Sequence, residues 1–348
     1  MAQFNRREFA RLAAMLPALP GLRKAKDLGY AGGLTDIPGI RVGHFTDPRR
    51  PTGCTVILTE RGAVAAVDVR GSAPGTRETD LLAPNKTIQK IHAIVLAGGS
   101  AFGLDSASGV VQYLEERGVG FQTRRGPVPI VPAAILYDLG LGDPSIRPDR
   151  EAGYRACQRA HTGPVQEGNV GAGAGATVGK MLGADRAMKA GLGSAALRVD
   201  RLTVAALVAV NAVGDVVDPE SGQILAGARS KDGKSFVDLA KILRTTTLTG
   251  SPNSLENTTL GVVATNAAFD KPAMHKIAEM SHDGLARTIH PVHLPFDGDT
   301  IFSISTGEEK GCDLGQVGAL AAQLISQAVI RSVLQARGIP GYPAHSDL

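Results

Sequence analysis

The sequence predicts an α+β fold, layers of sheet and helix around a shared core, and three observations carry that prediction. Short apolar, β-branched runs recur between glycine-rich turns. Only two or three stretches have helical spacing, and they do not alternate with the strands at the period of a doubly wound sheet. The chain has 348 residues, 43% hydrophobic and 20% charged, enough for a large core, and no Pro-, Ser- or charge-rich linker divides it. One domain over residues 33–348 is therefore expected. The 43 glycines follow no collagen period and are assigned to tight turns and close backbone approaches.

In chain order, residues 55–58, 63–69 and 93–96 read as strands. The last runs through Gly98 and Gly99 into a helix reaching about Glu116, with Ser100 as its N-cap and Leu104, Val111 and Leu114 on one side. The proline-rich stretch 127–148 reads as a functional loop. Residues 194–199 and 203–213 form two strands joined by a turn, and 260–267 another. A helix follows to about Arg287, with Asp270 as N-cap and Pro272 in its first turn. Residues 301–306 are the last strand and 317–336 the last helix. That helix carries Val317, Leu320, Leu324, Ala328, Val329 and Val333 as an ordinary core stripe.

Charge excludes some functions once it is located. Residues 1–30 hold six bases and two acids, so they carry the whole net charge of +4, and the remaining 318 residues hold 31 of each sign. With no tryptophan, 4% aromatics and no basic stripe, the body is not expected to bind nucleic acid. Arg6 and Arg7, followed by the apolar stretch 12–22, read either as a twin-arginine export signal or as a basic arm over residues 1–32. A cytoplasmic location is favoured because the apolar part is short, holds Pro17 and Pro20, and lacks a clear cleavage site; periplasmic export is the alternative. No unbroken apolar run is long enough for a membrane span. Cys54, Cys157 and Cys312 are odd in number and far apart, so neither a disulfide framework nor a paired-cysteine zinc site follows.

Several motifs fail on inspection. The glycine-rich run 171–180 lacks a phosphate-loop pattern, because Ala174 stands where the first glycine is needed and Met181 follows Lys180 in place of Ser or Thr. A close-packed turn presenting Lys180 is the better reading. Ser100 is not a nucleophile elbow, since Phe102 occupies a required glycine position. His290 and His293 with Asp297 and Asp299 are a possible metal set without a helical spacing, and a metal-dependent hydrolase is one rival reading.

The junction of Asn257 and Thr258 carries the sharper chemistry. If the Thr258 hydroxyl attacks the Asn257 carbonyl, an N-to-O acyl shift gives an ester, and water then releases a new α-amine on Thr258. That amine, with an ordinary pKa of about 7.7 to 8.0, is a base on the same residue as the nucleophile.

These segments resemble a known family, the self-processing L-aminopeptidase/D-esterases and β-peptidyl aminopeptidases, with the 6-aminohexanoate-oligomer (nylon oligomer) hydrolases as the closest-looking branch. The matching motifs are residues 33–44, 96–104, the Lys180 loop, Asn211, the Asn257–Thr258 junction, and the turn of Asp297, Gly298 and Asp299. The resemblance implies a four-layer αββα sandwich of the N-terminal-nucleophile type, cut into residues 1–257 and 258–348. It implies Thr258 as nucleophile, Asp297 and Asp299 orienting its amine and hydroxyl, Asn211 offering its amide to the oxyanion, and Lys180 and Tyr137 lining the pocket. It implies hydrolysis of a peptide or small-molecule amide without metal or organic cofactor, by a homo-oligomer, a tetramer of processed heterodimers. The aminopeptidase branch has a serine nucleophile preceded by glycine, and a serine where Asp297 stands. Asn257, Thr258 and the Asp–Gly–Asp turn match the nylon-oligomer branch instead. An acyltransferase on the same architecture is the other rival.

Overall fold

The computed structural model describes residues 32–247 and 257–348; the expected N-terminal arm or export signal lies outside them apart from Gly32. Nine strands build the main sheet: β1 Arg41–Thr46, β2 Gly53–Val69, β3 Thr76–Arg77, β4 Lys90–Ala97, β5 Ala133–Ile135, β6 Leu192–Val199, β7 Leu202–Asn211, β8 Thr258–Ala267 and β9 Thr300–Glu309. Their order is β6-β7-β8-β9-β2-β4-β5-β3, with β1 also on β2. The β8–β9 and β4–β5 pairs are parallel and the rest antiparallel.

Side-chain alternation along β2 decides the layering. Cys54, Val56 and Leu58 face one apolar cluster, and Ile57, Ala63 and Ala65 face another. A strand apolar on both sides must be covered on both. The first half of β2 pairs with β1, and the second half pairs with β9 after a break in register on β4 between Leu58 and Ala63. The strand thus passes from one layer to the other. Between the layers lies the larger core, joining Leu96 and Ile94 of β4 to Leu207, Val262 and Phe302.

Helices close the outer faces. Helices α1 (Ser106–Glu115) and α2 (Arg150–Gln158) cover β1, β2 and β4, whereas α4 (Lys271–Thr288) and α5 (Leu314–Leu334) cover β6 to β9; α3 (Leu239–Thr245) is short. This is the αββα arrangement. By length and composition α5 is apolar enough to cross a membrane, but Val317, Leu324, Ala328, Val329 and Val333 are fully buried against the sheet. Asp270 caps α4 by accepting from the Ala273 amide at 3.0 Å.

Three sequence expectations change. Residues 55–58 and 63–69 belong to one long strand, because Glu60 and Arg61 sit on a bulge and not in a loop between strands. Ser100 caps nothing with its side chain: it opens a 3₁₀ turn (Ser100–Asp105) at φ 55°, and α1 starts only at Ser106. The stretch 127–148 contributes β5, parallel to β4. Helix α2, which lacks a large apolar stripe, crosses α1 closely. A Cβ on Gly109 would lie 1.8 Å from the Arg150 carbonyl oxygen.

Candidate active site

Strand pairing assembles the site from distant parts of the sequence. The β7–β8 ladder ends with Asn211 opposite Thr258. The parallel β8–β9 ladder starts at Leu260 and Thr300, so the residues preceding each strand also run side by side, and Asn257 bridges to Asp297. Thr258 and Asn257 are both buried.

One carbonyl is the focus of the donors. The Thr258 hydroxyl donates to the Asn257 carbonyl oxygen, and the Gly298 N–H donates to the same oxygen at 3.2 Å. A hydroxyl thus touches the adjacent peptide group while a backbone amide polarises it, the arrangement that stabilises charge developing on a carbonyl oxygen. Gly298 has no room for a side chain: a Cβ there would stand 2.7 Å from Thr258 Oγ1 and 2.8 Å from the Ala73 carbonyl oxygen.

The two carboxylates beside this carbonyl have unequal surroundings. Asp299 Oδ1 accepts from the Thr259 amide at 2.7 Å, and Oδ2 from His293 Nδ1 at 2.8 Å and from the His293 amide at 3.2 Å. Asp297 Oδ2 accepts from the Leu294 amide at 2.8 Å, while its buried Oδ1 has no hydrogen-bond partner among the described residues. Burial, and then the charge of Asp299, push Asp297 up to about 7; the Leu294 amide, Lys180 and His293 pull less strongly the other way. Environments that differ in this way assign proton transfer to one member of a pair. The Thr258 hydroxyl bonds to Asn257 and not to either carboxylate.

Asn211 is held from three sides. Lys180 Nζ donates to its Oδ1 at 2.9 Å and to its carbonyl oxygen at 3.2 Å, the Thr177 amide donates to Oδ1 at 3.1 Å, and Nδ2 donates to the Tyr137 carbonyl oxygen at 2.8 Å. Tyr137, Thr177 and Lys180 line a cavity of about 50 Å³ together with Tyr342. The glycine-rich loop that presents Thr177 and Lys180 is pinned from beneath by fully buried Lys189, whose Nζ donates to the carbonyl oxygens of Gly173 at 3.1 Å, Ala176 at 2.9 Å and Ala190. Burial pushes that lysine down to about 7. Lys189→Met takes a donor from three buried carbonyls, of which Gly173 keeps the Ala176 amide and Ala176 the Ala190 amide, so it is expected to lower stability by about 1–3 kcal/mol in urea unfolding. It should also slow any reaction that depends on Lys180.

The histidines do not form a metal set. His290 Nε2 faces the Ala286 carbonyl oxygen at 3.2 Å, His293 is engaged by Asp299, and among the described residues no three His, Cys, Asp or Glu side chains converge as ligands. Cys54 and Cys157 are free and buried, and burial pushes both thiols up, away from the reactive thiolate. Two participants, Gly298 and His293 as the partner of Asp299, are not marked by sequence spacing. The one available signal was a histidine six residues before an aspartate already singled out.

Comparison with known proteins bears on the family and the fold. Residues 32–346 match peptidase family S58. An uncharacterized aminopeptidase of Mycobacterium tuberculosis is 41% identical over 342 residues, covering 90% of this chain and 97% of the relative. A 6-aminohexanoate-oligomer endohydrolase of Paenarthrobacter ureafaciens is 31% identical over 313 residues, covering 85% and 84%. Among solved structures, the L-aminopeptidase D-Ala-esterase/amidase of Ochrobactrum anthropi, a variant of the Ntn-hydrolase fold, superposes with a TM-score of 0.68 at 20% identity over 90% of each chain.

Proposed function

The chain belongs to peptidase family S58 and is an amide-bond hydrolase, and from that premise we propose that it cuts itself between Asn257 and Thr258 and then uses Thr258 as an N-terminal nucleophile. The observation that supports this reading is the Asn257 carbonyl oxygen, which accepts from both the Thr258 hydroxyl and the Gly298 amide.

In the uncut chain no α-amine exists on Thr258, so another group must take the hydroxyl proton. Asp297, poised near 7 and bridged to Asn257, fits that task. Oγ1 bonds to the Asn257 carbonyl carbon, the bond from that carbon to the Thr258 nitrogen breaks, and the nitrogen receives the proton. Water then hydrolyses the ester, leaving the Asn257 carboxylate and the Thr258 ammonium, which Asp297 and Asp299 hold as neighbouring negative charge. During turnover the Thr258 amine, once deprotonated, activates its own hydroxyl, an acyl-enzyme forms on Oγ1, and water releases the acid. Asn211, its amide fixed by Lys180 and Thr177, faces the nucleophile across the β7–β8 pair as an oxyanion donor. Tyr137 and Lys180 line the pocket that receives the acyl part.

Oligomers of 6-aminohexanoate, for which the Paenarthrobacter relative is named, and peptides with a free amino terminus are the compounds to assay. Incubation with each, with and without added amine acceptors, tests the reaction: free acid and amine are expected, and a transfer product in their place would make the protein an acyltransferase. Gly298→Ala is expected to slow self-cleavage by about 100-fold or more, because the methyl displaces the nucleophilic oxygen and the Ala73 carbonyl that it would meet. Fragment formation on a time course of gels reads this directly. We also propose a homo-oligomer, from the family resemblance, and a cytoplasmic location, from the short apolar stretch 12–22, with periplasmic export as the alternative; light scattering and cell fractionation check them.

A further inference from the structure

We propose that His293 is a positioning residue for Asp299: its ring N–H holds that carboxylate in the orientation from which it serves the Thr259 amide and the reaction at Thr258. This rests on the assignment of Thr258 above.

The backbone already signals that something fixes this residue. His293 adopts φ 57°, a left-handed conformation that side-chain-bearing residues seldom take. That conformation lets both its backbone amide and its ring reach one oxygen, Asp299 Oδ2, at 3.2 and 2.8 Å. A carboxylate only accepts, so Nδ1 carries the hydrogen. The other ring nitrogen, Nε2, is buried without a hydrogen-bond partner among the described residues, which leaves the Asp299 bond to orient the ring.

Behind it stands a buried ring. His282 of α4 packs edge-on against His293, with centroids 4.9 Å apart and planes at 67°. Its Nε2 faces the Asp68 carbonyl oxygen at 3.1 Å; a carbonyl cannot donate, so the hydrogen lies on Nε2. Burial pushes His282 down to about 4, and it acts near neutral pH as an uncharged wall that keeps the His293 ring from swinging away from Asp299. The charged and titratable groups facing His293 are therefore Asp299 and Asp297 from the turn and His282 from α4. Asp68 and Arg70 act on His282, and Lys180 acts on Asp297. Asp299 receives three N–H donors where Asp297 receives one, and two of those three come from His293.

The consequence is a division of labour. With the ring N–H present, Asp299 stays an acceptor pointed at the Thr259 amide, and Asp297 is left to exchange the proton. Without it, Asp299 loses the donor that aims it, so the reaction at Thr258 should slow in kcat with substrate binding little changed.

Two substitutions separate the ring N–H from the backbone strain. Glycine accepts the left-handed conformation and has no donor; asparagine also tolerates it, and its Nδ2 takes the place of the histidine Nδ1. For wild type, His293→Gly and His293→Asn, we would follow cleavage at Asn257–Thr258 by mass and amide-hydrolysis kcat and KM, from about pH 5 to about pH 9. His293→Ala is measured alongside, so that misfolding of one donor-less variant leaves another. In the glycine variant kcat and the cleavage rate are expected to fall about 100-fold with KM little changed; in the asparagine variant both stay within about tenfold of wild type. A donor-less variant with wild-type rates across that range overturns the proposal, and so does an asparagine variant as impaired as the glycine one. A wild-type chain that does not cut at this junction overturns instead the Thr258 reading on which the proposal rests.

Discussion

Thr258→Ala should leave the chain uncut and without amide-hydrolase activity, whereas Thr258→Ser should keep a measurable part of both. The hydroxyl is the group in contact with the Asn257 carbonyl, and alanine removes that oxygen while leaving the strand pairing of β8 intact. Loss of a nucleophile typically removes at least about 10³-fold of rate. The threonine methyl chiefly restricts χ1, so serine retains the chemistry with a less constrained hydroxyl and an expected loss of about tenfold. Fragment analysis and amide-hydrolysis rates on the same preparations check this; normal cutting in the alanine variant would place the nucleophile elsewhere.

Replacing the acidic pair gives the second large effect. Asp297→Asn and Asp299→Asn are each expected to slow self-cleavage and turnover by about 100-fold or more while the fold persists, because the amide keeps size and one acceptor but loses the negative charge. The loss should lie in kcat more than in KM, since the charge acts on the reacting group. A solvated acidic turn would give near-normal rates, and a metal site would give a loss restored by divalent ion and deepened by chelator. The pH dependence is specific. If Asp297 acts as the base, self-cleavage should rise with pH through about 7, where burial and Asp299 have pushed it. Stability runs the opposite way. The folded chain binds this proton more tightly than the unfolded chain, whose Asp titrates near 3.8, so the contribution is full below about 4 and is lost as pH rises through about 7. Asp297→Asn should flatten that part of the stability profile in urea titrations between pH 4 and pH 8, both values being approximate window limits from the same shift.

Particular residues show what could be read in the sequence. The strands ending in Ala267 and starting at Thr300 were legible because their apolar β-branched runs are bounded by Asn257 and by the acidic turn. Helix α4 was legible from Asp270 and Pro272. The long β2 was not, because Glu60, Arg61 and Gly62 imitate a turn, and only its pairing to both layers shows it to be a bulge. Helix α2 was missed for a different reason. It is built of small and polar residues whose burial comes from the close approach of Gly109 and Gly153, with Asp149 as the cap that periodicity does not count.

For the site, residue types were legible and mutual geometry was not. Asp297 and Asp299 stood out as a pair, yet their unequal hydrogen bonding depends on Leu294, Thr259 and His293 arriving from three directions. His293 looked like a metal ligand because histidine near aspartate serves both purposes, and only the left-handed backbone shows that it turns toward Asp299. Gly298 carries no side chain to notice. Its part is a backbone N–H that meets Asn257 only after two parallel strands align residues some forty positions apart.

The most direct measurement is the intact mass of the purified protein with the N-terminal residue of each fragment. The expected result is two polypeptides of 257 and 91 residues, less any trimming at the first N-terminus, the smaller one starting with Thr258. A single uncut chain that hydrolyses amides at full rate would contradict the account.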